Sequence, residues 1–144
     1  MSLLTTTGLH HVRITVTDLA RSRKFFEEVL GFDVAAESSG DPSDPAVRTD
    51  PFQLFGGVVF AVNGILFGLR PVADPDDAFE STRVGLDHVS FGVETRAELE
   101  AALVALEGAG VEHGEVVEMG QFGIAILSFS DPDGVHLELT SPIA

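Results

Sequence analysis

Three side chains spread along most of the chain are of the types that hold a metal ion. They are His11 in GLHHVRITV (residues 8–16), His88 in GLDHVSFGV (85–93) and Glu138 in GVHLELTSP (134–142). Two neutral imidazoles and one carboxylate suit a divalent first-row ion and leave coordination positions open for substrate or oxygen. Fe, Mn, Zn, Ni and Co are all compatible with that set. A buried glutamate by itself is costly to keep ionised, and a cation relieves the cost. The three lie too far apart for a ligand-spacing signature. The two histidines are linked by occupying the same place in two copies of one pattern, 77 residues apart.

The elements that must position these residues follow from the repeat. Each copy opens with alternating hydrophobicity, the mark of a half-buried strand. Val12, Ile14 and Val16 oppose His11, Arg13 and Thr15, while Val89, Phe91 and Val93 oppose His88, Ser90 and Gly92. The spacing predicts a helix over 18–30, with Asp18 as N-cap, an apolar stripe of Phe25, Phe26, Val29 and Leu30, and Gly31 beyond its end. A second helix is expected over 95–107, opened by the capping-box spacing of Thr95 and Glu98 and stopped by Gly108 and Gly110. Further strands are expected near 32–37, 54–62, 114–119 and 123–130, and NGILFGLRP (63–71) corresponds to DGVHLELTSP (133–142) as turn plus strand. Gly68 then matches Glu138. The stretch ESSGDPSDPAVRTDP (37–51) reads as a mobile loop, and ADPDDAFESTR (73–83) as an acidic linker.

The expected fold class is therefore α+β, built from two βαβββ modules at about 8–72 and 84–142 within a single domain of 144 residues. A four-stranded sheet with one helix leaves a face uncovered. Two such modules related by a pseudo-twofold can curve mixed sheets around a metal-binding cleft. The residues expected to face it are His11, Arg13, Thr15, Gly68, Arg70, His88, Ser90, His136, Glu138 and Thr140. His136 shares a face with Glu138 and is read as a neighbour of the metal ligands, a wall residue, or an acid/base group. Arg13 and Arg70 suit an acidic group of a substrate, or an internal carboxylate. His10 is read as structural and facing away, and His113 as surface. Phe52, Phe55, Phe60 and Phe122 are read as core or pocket lining. Gln53 and Gln121 are weaker candidates for approaching the metal region.

HHVRITVTDLARSRKFFEEVLGF, GLDHVSFGV and FSDPDGVHLEL together resemble the vicinal-oxygen-chelate superfamily, which includes glyoxalase I, extradiol dioxygenases, fosfomycin-resistance transferases, methylmalonyl-CoA epimerase and bleomycin-binding proteins. The resemblance implies metal ligation by His11, His88 and Glu138, with the ion as Lewis acid for a substrate chelated through adjacent oxygens. Glyoxalase I and the epimerase carry a further Glu or Gln where this chain has Gly68, which favours oxygenase-type or transferase/lyase-type chemistry over glyoxalase isomerisation. Two other departures stand out: no tyrosine is present to match the extradiol enzymes, and Arg13 replaces the small hydroxyl residue of the fosfomycin transferases. The alternative is a non-catalytic antibiotic- or metabolite-binding protein of the bleomycin-resistance type. By the same analogy a homodimer is expected.

Composition narrows the partners. The formal charge is −15, with Lys24 the single lysine among eight basic residues. That surface repels polyphosphates and anionic membranes, so a small-molecule substrate is expected rather than nucleic acid or membrane. The chain has no cysteine, which excludes thiolate ligands and nucleophiles. MSLLTTTG lacks the pattern of a signal peptide, so a cytoplasmic location is expected.

Overall fold

The computed structural model describes all 144 residues, Met1–Ala144. The chain divides into two compact units, Met1–Asp77 and Ala78–Ala144. Unit 1 contains strand β1 (His11–Thr15), helix α1 (Leu19–Glu28), β2 (Asp33–Glu37), the one-turn helix α2 (Pro45–Arg48), β3 (Val58–Val62) and β4 (Ile65–Arg70). Unit 2 contains β5 (Val89–Gly92), helix α3 (Arg96–Gly108), β6 (His113–Met119), β7 (Ile124–Ser130) and β8 (His136–Pro142). Apart from α2, each is βαβββ. The sheets run β1-β4-β3-β2 and β5-β8-β7-β6. In each, the first pair is parallel and the others antiparallel. No helix is long and apolar enough to cross a membrane.

The repeat extends to register. Arg13 stands opposite Gly68 in unit 1, and Ser90 opposite Glu138 in unit 2. One face of each sheet is fixed by its core. Ile14, Val58, Phe60, Phe67 and Leu69 are buried in unit 1 together with Phe25 and Phe26 of α1. Phe26 is wholly buried, with ring centroids 5.1 Å from Phe25, 6.0 Å from Phe32, 6.1 Å from Phe60 and 5.2 Å from Phe67. In unit 2, Leu99 and Leu106 of α3 are buried, as are Leu127, Phe129, Leu137 and Leu139 of the sheet. By period-two alternation, the other face carries His11, Arg13, Thr15, Gly68 and Arg70 in unit 1, and Ser90, Glu138 and Thr140 in unit 2.

Helix N-termini match their sequence signals, whereas α1 ends at Glu28, short of the expected Leu30, and α3 continues through Gly108 to a cap at Ala109. Asp18 accepts a hydrogen bond from the Arg21 amide, and the Thr95–Glu98 capping box is closed in both directions. The Asn63–Gly64 hairpin turn takes positive φ at both residues (44° and 90°), as the twist of a two-residue loop demands. Three further expectations need correction. The strand placed near 54–62 begins only at Val58, because Leu54 and Phe55 adopt left-handed backbone (φ 51° and 56°) inside a 3-10 segment, Pro51–Gly56. The stretch 37–51 is not a bare loop. Asp44 and Asp50 accept from the Ala46 and Phe52 amides, and Arg48 donates to the carbonyls of Pro71 and Val72 at 2.9 and 3.1 Å. β5 starts at Val89, so His88 immediately precedes it.

Candidate functional site

Unit 2 brings two of the three expected ligands together. His88 Nε2 lies 3.7 Å from Glu138 Oε1, the imidazole side chain 44% exposed and the carboxylate side chain 15%. That separation is too long for a hydrogen bond. It is close to the roughly 3–3.5 Å between two donors that each stand about 2.0–2.2 Å from one ion. Both groups are held from behind. Asp87 Oδ1 lies 2.6 Å from His88 Nδ1, so the proton belongs on Nδ1 and the Nε2 lone pair faces Glu138. Thr140 Oγ1 donates to Glu138 Oε1 at 3.2 Å and is itself hydrogen-bonded to Ser90 Oγ. Donor chemistry, spacing and outer partners therefore fit a divalent ion at this pair. Neither unit gathers three potential ligands around one point.

In unit 1, His11 is exposed, and its Nδ1 lies 2.9 Å from Nδ1 of His10. His10, expected to face away as a structural residue, thus engages the His11 ring. It precedes the strand, so alternation does not govern its direction. The arrangement repeats that of unit 2: each candidate ligand has its Nδ1 met by the side chain just before it. An Asp87→Asn exchange is expected to lower metal affinity about 10- to 100-fold, the usual effect of removing a ligand's outer partner. Calorimetric titration of the full chain with Mn(II) measures it.

Glu138 and His88 also line a cavity of about 410 Å³ with Asp87, Glu112, His113 and His136. His113, expected at the surface, is half-buried with Nδ1 2.7 Å from the Gly114 carbonyl oxygen. It and Glu112 escape sequence reasoning because the β6–β7 register shifts between His113 and Val116, which breaks alternation. His136 is exposed, lines the same cavity and packs edge-on against Phe79 at 5.1 Å. Phe79 lies in the stretch read as a linker, and nothing in its spacing predicts this contact.

Arg13 and Arg70 lie on the face of the unit 1 sheet opposite its core, where the Pro51–Gly56 segment packs. Arg13 Nη2 donates to the carbonyls of Leu54 (2.9 Å) and Leu69 (3.2 Å), and its side chain runs across Gly68. A Cβ at 68 would stand 2.9 Å from Arg13 Cγ and Nε. Gly68 is thus the gap through which Arg13 passes. Gly68→Ala is expected to destabilise by about 1–3 kcal/mol through overpacking. In an Arg13→Ala background the penalty shrinks, a coupling that a double-mutant cycle of urea unfolding reads directly. Burial and the neighbouring Arg70 charge hold the Arg13 guanidinium below its ordinary pKa. Of the other candidates, Phe60 is core, whereas Phe52 and Phe122 are exposed. Phe55 lies under Arg70, and Gln53 accepts from Ser38 Oγ. Gln121 is exposed in the turn before β7.

Two βαβββ units, each with a four-stranded mixed sheet, are the architecture of a vicinal-oxygen-chelate protein. A family model described as Glyoxalase/Bleomycin resistance protein/Dioxygenase superfamily matches residues 8–139, and the chain belongs to that superfamily. The chain is 29% identical to the uncharacterised protein YaeR of Escherichia coli (strain K12), over 91% of this chain and 93% of that one. It is 27% identical to Glyoxylase I 4 of Arabidopsis thaliana, over 92% of this chain and 70% of the relative. Among solved structures, a glyoxylase/bleomycin resistance protein/dioxygenase domain from Frankia sp. EAN1pec superposes with a TM-score of 0.74 and 27% identity, covering 96% of this chain and 93% of the other.

Proposed function

We propose that this protein is a metal-dependent enzyme acting on a small oxygenated substrate. His88 and Glu138 hold the divalent ion, and His11 is the third protein ligand, supplied by this chain or by the second copy in a homodimer. The observation that carries the reading is the His88–Glu138 pair, spaced at 3.7 Å and backed by Asp87 and Thr140. The role of His11 rests on its matching position in the repeat, with its Nδ1 hydrogen-bonded to the side chain of the preceding residue. When bound, the ion supplies Lewis-acid polarisation of substrate oxygens. His136, on the wall of the same cavity, holds or returns a proton at its ring.

Oxygenase-type or transferase/lyase-type chemistry is favoured over glyoxalase isomerisation. Position 68 offers no fourth ligand, and Arg13 fills the space in which one would stand. The test is a metal-loaded activity panel: oxygen uptake with aromatic diols, thiol or water addition to epoxides, and hemithioacetal isomerisation. Turnover in one of the first two, abolished by chelation and by His88→Ala, is the expected result. Hemithioacetal isomerisation as the metal-dependent activity would contradict the preference. Ligand binding without turnover would favour the sequestering role instead.

A further inference from the structure

We infer that Arg13, Arg70 and Phe55 form an oxyanion-binding subsite in unit 1, built for a carboxylate or phosphate group of a small molecule. The guanidinium carbon of Arg70 stands 3.6 Å from the centroid of the Phe55 ring, and that of Arg13 stands 5.5 Å from it. Two like charges therefore share one aromatic ring. The chain has 23 acidic residues against eight basic ones, yet neither arginine meets a carboxylate. Arg23 and Arg96, by contrast, each bridge two glutamates. The Arg70 side chain forms no hydrogen bond, and the Nε atoms of both arginines are buried without a partner. Arg13 spends Nη2 on two backbone carbonyls, which fixes the fork and leaves Nη1 unbonded.

The surroundings hold this pair in place. Leu54 and Phe55 both occupy left-handed backbone, a conformation that costs non-glycine residues free energy and concentrates at ligand sites. It places the Phe55 ring under Arg70 and the Leu54 carbonyl on Arg13. Gly68 keeps the path of Arg13 clear, since a Cβ there would stand 2.9 Å from Nε, and Gly57 lets the Leu69 carbonyl that Arg13 binds approach, since a Cβ there would stand 1.9 Å from that oxygen. Stacking on a ring orients a guanidinium while leaving its N–H edge for an oxyanion, and such planar forks match carboxylate and phosphate oxygens. An oxyanion at the Arg70 Nη groups and Arg13 Nη1 supplies the missing counter-charge and gives those groups an acceptor. The inference stands on unit 1 alone and does not depend on metal binding by His88 and Glu138.

The test uses the full chain in excess chelator, so that no metal–phosphate contact contributes. The Nε–H resonances of Arg13 and Arg70 are followed by 15N–1H NMR during titration with inorganic phosphate, acetate or chloride at matched ionic strength. Saturable shifts of both resonances with phosphate, acetate or both, and none with chloride, are expected. The oxyanion that saturates at lower concentration identifies the group. Arg70→Met, which keeps the stack but removes the charge, should weaken binding at least tenfold, and Arg70→Lys should restore part of it. Equal responses to all three salts, or unchanged affinity in folded Arg70→Met or Arg70→Lys, would overturn the inference.

Discussion

Replacing Glu138 by Gln is expected to lower the affinity for a divalent ion by more than about 100-fold, since losing partners one shell further out already costs 10- to 100-fold. Folding should barely respond. The neutral amide keeps an oxygen for the Thr140 hydroxyl and removes one of three carboxylates, with Asp87 and Glu112, that line the cavity. A stability change of about 1 kcal/mol or less is therefore expected. Calorimetric titration with Mn(II) reads the first quantity and urea unfolding the second. A large affinity loss beside near-constant stability distinguishes a ligand from a structural acid. A stability loss with unchanged affinity would return Glu138 to a structural role.

Phe26→Ala is expected to have the largest effect on folding. The ring is wholly buried at the centre of four other phenylalanines, and its removal leaves a cavity that α1 and the β3–β4 surface cannot close by small shifts. The expected cost is about 3–5 kcal/mol, a large part of the roughly 5–15 kcal/mol that holds a domain folded. Phe52, also a phenylalanine of unit 1, is 94% exposed, and its replacement by Ala should move stability by no more than about 0.5 kcal/mol. Urea midpoints of the two variants measured side by side test the contrast. Similar losses would show that the cluster does not carry the core of this unit.

Much of this architecture is legible in the sequence because strand alternation and helix capping are local signals. Val12, Ile14 and Val16 announce a buried face, and the repeat of that pattern after His88 announces a second unit. The same alternation puts Glu138 opposite Leu137 and Leu139. Signals fail where local geometry breaks the period. Leu54 and Phe55 turn left-handed with no glycine at either position to mark it, so the start of β3 is misplaced by four residues. The register shift after His113 hides that residue and Glu112 from a face-by-face inventory. Asp44-Pro45 and Asp50-Pro51 did carry a readable message, an N-cap followed by proline at the first helical position, within a stretch whose composition suggested only a loop. The passage of Arg13 over Gly68 is a tertiary fact. The family resemblance implies a further ligand at the position of Gly68, and Arg13 runs across that position in the structure.

The most direct test of the proposed metal centre is elemental analysis of the full chain after equilibrium dialysis against Fe(II), Mn(II), Co(II), Ni(II) or Zn(II), beside His88→Ala treated identically. About one equivalent of at least one of these ions per chain, retained through a wash that empties the variant, is the predicted result. Equal and substoichiometric metal in both proteins, for every ion, would contradict it.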